Sequence, residues 1–158
     1  MSIEEIRLVD FPVRLDDRGT LAVIETPEQV PFTIRRLYYL YRVAPGQQRG
    51  GHAHKALEQV FVAMAGRFSI TLTDARAVRT FELTDPSVGL YVPPMLWRDL
   101  HDFSADAVCL VIASAEYSED DYIRSRAEFG AAVARAEPSS SAAPSSSPPS
   151  AVTIPNRT

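Results

Sequence analysis

From residue 3 to about residue 113 the apolar positions come in short runs. Gly, Asp and Pro interrupt them. The runs "IRLVDF", "TLAVIE", "TIRRLYYLYRV", "GHAHK", "LEQVFVAMA", "RFSITLTD", "AVRTFEL", "VGLYV" and "AVCLVIAS" are rich in β-branched and aromatic residues, as strands are. Eight or nine short strands of this kind predict an all-β domain, either a sandwich or a jelly-roll barrel, because closure removes exposed edges. The pattern then changes. In "YSEDDYIRSRAEFGAAVARA" Ser118 is a candidate N-cap, acids fill the first turn, and Tyr122, Ile123 and Phe129 give an apolar side, so a C-terminal helix is expected. After Glu137 the chain is mostly Ser, Pro and Ala, with little to bury. The chain therefore reads as one domain over residues 1–136 and a disordered tail over 137–158.

Within "RRLYYLYRV" the alternation sets Arg36, Tyr38, Leu40 and Arg42 on one face and Arg35, Leu37, Tyr39 and Tyr41 on the other. Neither face is purely apolar. A wall that lines a cavity or a subunit interface fits this strand better than a buried central position.

Composition narrows the class. With 158 residues and 46% apolar content the chain can bury one core. A formal net charge of −4 argues against nonspecific nucleic-acid binding, which needs surplus cations to displace phosphate counterions. No signal peptide is evident at "MSIEEIRLVD" and no apolar run is long enough to span a membrane, so neither nucleic acid nor membrane is an expected partner and the cytoplasm is the expected location. The single cysteine, Cys109, lies in an apolar run, where a lone thiol packs as a small hydrophobe.

The chemistry concentrates in "RGGHAHKALEQVFVAMAG", which holds two of the three histidines. Strand alternation brings His52 and His54 to one face, with Ala53 and Lys55 opposite. Three readings are open. The spacing from Gly46 through His52, His54 and Glu58 to Gly66 reproduces most of the first metal motif of cupin barrels, yet Arg98 stands where the last ligand is needed, and a cation cannot ligate a divalent metal. Both histidines can instead be strand residues on a wet face. In the third reading they are a proton-transfer pair, whose ordinary pKa of about 6.5 suits both base and acid at neutral pH.

Taken together, "RRLYYLYRV", "RGGHAHKALEQVFVAMAGRFSITLTD", "VGLYVPPMLWRDLHDFS" and "LVIASAEYSEDDYIR" resemble the nucleotide-sugar 3,4-ketoisomerases, the WxcM-like cupins, from about Phe11 to Phe129. The recurring RG-x-HAHK appears as Arg49 to Lys55, DFS as Asp102 to Ser104 and DYIR as Asp121 to Arg124. The resemblance implies a cupin jelly-roll homodimer that takes dTDP-4-keto-6-deoxyglucose and moves its carbonyl from C4 to C3, with no metal and no cofactor. It also implies a place before an aminotransferase, on the way to 3-amino-3,6-dideoxysugars. The family's paired histidines carry over onto His52 and His54 and its aromatic strand residue onto Tyr38. The main departure is Arg98, where relatives often have a histidine.

That reaction asks for these residue types in its own right. A hydrogen on C3 is acidified by the C4 ketone, so a base can remove it to leave an enediolate, and an acid can then deliver a proton to C4. Tyr38 or Arg49 is a donor for the developing oxyanion. The diphosphate needs cations. "DDRGTLAVIE" also resembles the Asp-x-Arg-Gly pattern of deoxysugar 3,5-epimerases, which makes Arg18 a phosphate candidate beside Arg49 and Lys55. Trp97 is a candidate to stack on the thymine. The competing functions are a metal-dependent cupin enzyme and a ligand-binding cupin without catalysis.

Overall fold

The computed structural model describes residues 2–136 and the backbone of residues 151–153. After a 3-10 turn at Ile3–Glu5 the strands are β1 (Arg7–Asp10), β2 (Val13–Asp16), β3 (Gly19–Ala22), β4 (Arg36–Tyr41), β5 (Arg49–His54), β6 (Gln59–Ala65), β7 (Phe68–Thr73), β8 (Val78–Leu83), β9 (Val88–Val92), β10 (Trp97–His101), β11 (Val108–Ala113) and β12 (Tyr122–Ile123). The helix α1 (Arg126–Ala136) follows, and Ala151–Thr153 form β13. One sheet has the order β1-β9-β6-β11-β4 and the other β12-β5-β10-β7-β8-β13, while β2 and β3 make a separate hairpin. The strand pairs are antiparallel except for β13, which runs parallel to β8. Two such sheets facing each other form the jelly roll that the series of short strands predicts.

The core between the sheets is built from residues of alternating strand positions, among them Phe61, Ala63, Phe68, Ile70, Leu72, Leu90, Cys109 and Val111. Burial raises the Cys109 thiol's pKa, so it packs as the inert hydrophobe expected. A second cluster of Ala53, Trp97, Ile123 and Phe129 lies under α1. Its members β5 and β10 therefore present one face to the helix and the other to the barrel interior.

Two expectations change. The helix begins at Arg126 and not after Ser118, because Tyr122 and Ile123 pair with His54 and Ala53 as strand β12. Ser118 precedes only a 3-10 turn and makes no side-chain cap bond, whereas the Ser125 hydroxyl accepts from the Glu128 N–H at the true helix start. Strand β10 was not evident in the sequence, since "WRDLH" sets two adjacent charged residues between apolar ones on a strand that has one face in the barrel and one under a helix. Of the tail expected to be disordered, residues 137–150 and 154–158 lie outside the described residues.

Candidate active site

Strand β5 delivers both imidazoles to the inner face. The ring centroids of His52 and His54 lie 4.9 Å apart at 85°, edge to face, and the Tyr122 ring packs against both at 4.9 and 4.3 Å. The path of β5 is set by Gly50 at φ +86°, a left-handed conformation at which an added Cβ would stand 2.5 Å from the Arg98 carbonyl oxygen. Glycine lets the two backbones approach there, and the ladder shifts register between Arg98 and Asp99 at the same place. Arg98 consequently lies opposite His52.

Each ring has a defined hydrogen-bond state. His52 Nδ1 lies 3.0 Å from the Gly50 carbonyl oxygen, and His54 Nδ1 lies 2.8 Å from Asp121 Oδ2. Both partners only accept, so Nδ1 carries the hydrogen and Nε2 presents a lone pair. His54 is fully buried, and among the described residues its Nε2 has no partner. Asp121 is itself fixed: its Oδ1 accepts from the Ala56 N–H at 2.8 Å and its carbonyl from the Lys55 N–H at 2.9 Å. The role of this carboxylate was invisible in sequence, because it comes from 67 residues away.

Arg98 dominates the electrostatics. It is 1% exposed, Nη2 donates to the Leu96 carbonyl at 2.7 Å, and Nη1 donates to the Gln59 side-chain oxygen. Burial pushes its pKa down to about 10, still far above neutrality. Gln59 Nε2 in turn donates to the Tyr38 hydroxyl at 2.7 Å. Burial raises Tyr38 to about 12, so the phenol keeps its proton, and its oxygen, already accepting from Gln59, leaves that proton free to donate elsewhere.

Burial first and the Arg98 charge second lower the pKa of His52 to about 4. The same two causes, joined by His52 itself, lower His54, while Asp121 opposes the shift. Both rings are therefore neutral at pH 7, and neither is a resting acid as ordinary values would allow. The sign for stability follows. Between pH 6.5 and about 4 the unfolded chain binds a proton at His52 that the folded chain refuses, so stability falls as pH drops through this window. Urea midpoints at pH 7, 6 and 5 are expected to decline, and His52→Asn to flatten the decline. A decline that is identical in the variant would contradict the burial of this ring.

The remaining sequence candidates scatter. Lys55 Nζ is tied to the Asp120 carbonyl at 2.6 Å, and Arg49 is exposed at the start of β5. Arg18 projects from the β2–β3 hairpin and pairs with Asp16, outside the pocket of its own chain. Trp97 is 4% exposed on the helix side of β10, packed with Phe129 at 5.8 Å and with the Arg126 guanidinium 4.4 Å from its ring centre. Glu58, needed by the metal reading, accepts from the Tyr91 hydroxyl at 2.6 Å. His101 is engaged by Thr71 and Asp102 at the other end of β10. Among the described residues no three His, Cys, Asp or Glu side chains gather to hold an ion.

Comparison with known proteins gives a consistent set of likenesses. The family described as "FdtA: WxcM-like, C-terminal" matches residues 4–134. The sequence is 41% identical over 131 residues to the TDP-4-oxo-6-deoxy-alpha-D-glucose-3,4-oxoisomerase of Aneurinibacillus thermoaerophilus, covering 83% of this chain and 94% of that one. A 3,4-ketoisomerase from Thermoanaerobacterium thermosaccharolyticum in complex with TDP superposes with a TM-score of 0.82 at 38% identity, over 84% of this chain and 97% of that one. A mutant of the same enzyme, in complex with TDP-4-keto-6-deoxyglucose, gives 0.82 at 36% identity over 85% and 97%.

Proposed function

The chain belongs to the FdtA, WxcM-like C-terminal family, and from that premise we propose that it moves the carbonyl of TDP-4-keto-6-deoxyglucose from C4 to C3 by proton transfer at His52 and His54. It is an enzyme, a sugar-nucleotide 3,4-ketoisomerase. The observation that carries the mechanism is the pair of neutral, T-packed imidazoles beside a buried guanidinium, one of them backed by a carboxylate.

A lone pair at Nε2 takes the C3 hydrogen, which the C4 ketone has acidified, and the electrons pass into an enediolate. The developing oxyanion meets the Arg98 charge and the free proton of Tyr38, both held in a water-poor site where such contacts count for more than in water. The imidazolium formed in the first step is the acid that the resting site lacks. It returns a proton at C4 while the proton of the C3 hydroxyl is given up and O4 takes one, so the ketone is left at C3 and a hydroxyl at C4. Asp121 makes this charge tolerable on His54. Purified protein held in excess chelator is expected to convert the 4-ketone to the 3-ketone, read by NMR. A requirement for an added divalent ion would restore the metal reading.

The homodimer belongs to the same proposal. Along β4, an edge strand of its sheet, Leu37, Tyr39 and Tyr41 are 60, 64 and 56% exposed, and the β2–β3 hairpin exposes Val13, Leu15 and Leu21. A lone hairpin is marginal in water, so these apolar residues fit contact with a second copy. Sedimentation is expected to show a dimer that Tyr39→Glu combined with Leu37→Glu dissociates. A monomeric wild type would overturn this part.

A further inference from the structure

None of the cations considered for the diphosphate stands at the histidine pair with its guanidinium or ammonium unspent. Arg36 does. Strand β4 places Arg36 in register with Ala113, and Ala113 with Gln59, so Arg36 shares the inner face with Tyr38. The guanidinium carbon lies 5.2 Å from the Tyr38 ring centre and 5.7 Å from that of Tyr117. Its Nε is buried, and among the described residues it has no hydrogen-bond partner and no carboxylate lies within ion-pair distance of the guanidinium. A cavity of about 150 Å³ is lined by Arg36 together with His54, Asp121 and Tyr122, with the exposed Glu116 also contributing to its lining.

A buried donor on a cation without a counter-charge is costly unless a ligand completes it. The rings of Tyr38 and Tyr117 hold the guanidinium without supplying an acceptor. On the proposed reaction, a pyranose with C3 and C4 at His54 carries its phosphate at C1, on the far side of the ring. We propose that Arg36 is the residue that binds the sugar-linked phosphate of the nucleotide, so that the pyranose spans the cavity between Arg36 and His54. The planar fork of an arginine matches paired phosphate oxygens, and its fixed charge needs no proton from the site.

The inference rests on the ketoisomerase reading, and the test separates the two. Wild-type turnover of TDP-4-keto-6-deoxyglucose is measured first, and its absence would overturn that reading irrespective of Arg36. Calorimetric titration then compares TDP with thymidine, which lacks phosphate. Replacing charge-assisted bonds in Arg36→Met is expected to raise the Kd for TDP about ten- to a hundredfold while thymidine binding stays within twofold, with Arg36→Lys in between. If Arg36→Met does not fold, Arg36→Lys decides by the same comparison. TDP affinity equal to wild type in a folded variant, or an equal loss for thymidine, would overturn the assignment.

Discussion

His52→Asn and His54→Asn are each expected to lower kcat by about a hundredfold to ten-thousandfold while TDP affinity changes only a few-fold. A positioned general base or acid contributes about that much to a proton transfer. The division between kcat and binding follows from position. Both rings point into the barrel interior, beside Arg98 and Tyr122, and their Nδ1 atoms are already committed to Gly50 and Asp121, so only Nε2 remains for a substrate. Circular dichroism and the melting temperature check that each variant is folded. Single-turnover rates within threefold of wild type in both would show that the histidines are structural.

Asp121→Asn is the second large effect, a loss of about a hundredfold in kcat. An asparagine can turn its NH2 toward Nδ1, which favours the tautomer with the hydrogen on Nε2 and removes the lone pair the reaction uses. It also removes the charge that raises the His54 pKa against burial, Arg98 and His52. Two readouts distinguish this positioning role from simple loosening. KM should change far less than kcat, and the acid limb of the kcat profile should move to lower pH, since a less supported imidazolium forms less readily. The Ala56 N–H loses its present acceptor only if the remaining amide oxygen turns away, so Asp121→Asn perturbs the backbone less than Asp121→Ala. Unchanged kcat with a lowered melting temperature would make Asp121 a structural residue.

Much of this site was legible because a strand has period two. His52 and His54 had to share a face, and Arg36 had to share one with Tyr38. The same rule separates Trp97 from Arg98: Arg98 points inward beside His52, so Trp97 points outward under α1. What period alone could not supply was pairing across long separations. Asp121 reaches His54 only because Tyr122 and Ile123 join β5, and a segment with every local mark of a helix start becomes a strand through that tertiary pairing. The depressed histidine pKa values were hidden for a similar reason. Burial lowers them first and the Arg98 charge second, and Arg98 sits at its depth where Gly50 admits the Arg98 backbone and Gln59 accepts from its guanidinium.

The most direct test of the account is incubation of the protein with TDP-4-keto-6-deoxyglucose in deuterated water, followed by proton NMR of the recovered sugars. The enediolate path predicts a 3-keto product, with any solvent deuterium confined to C3 of the remaining substrate and C4 of the product. His52→Asn and His54→Asn variants would form that product at the reduced rates given above. Unchanged 4-ketone, or deuterium entering at C5, would contradict proton transfer between C3 and C4 at this histidine pair.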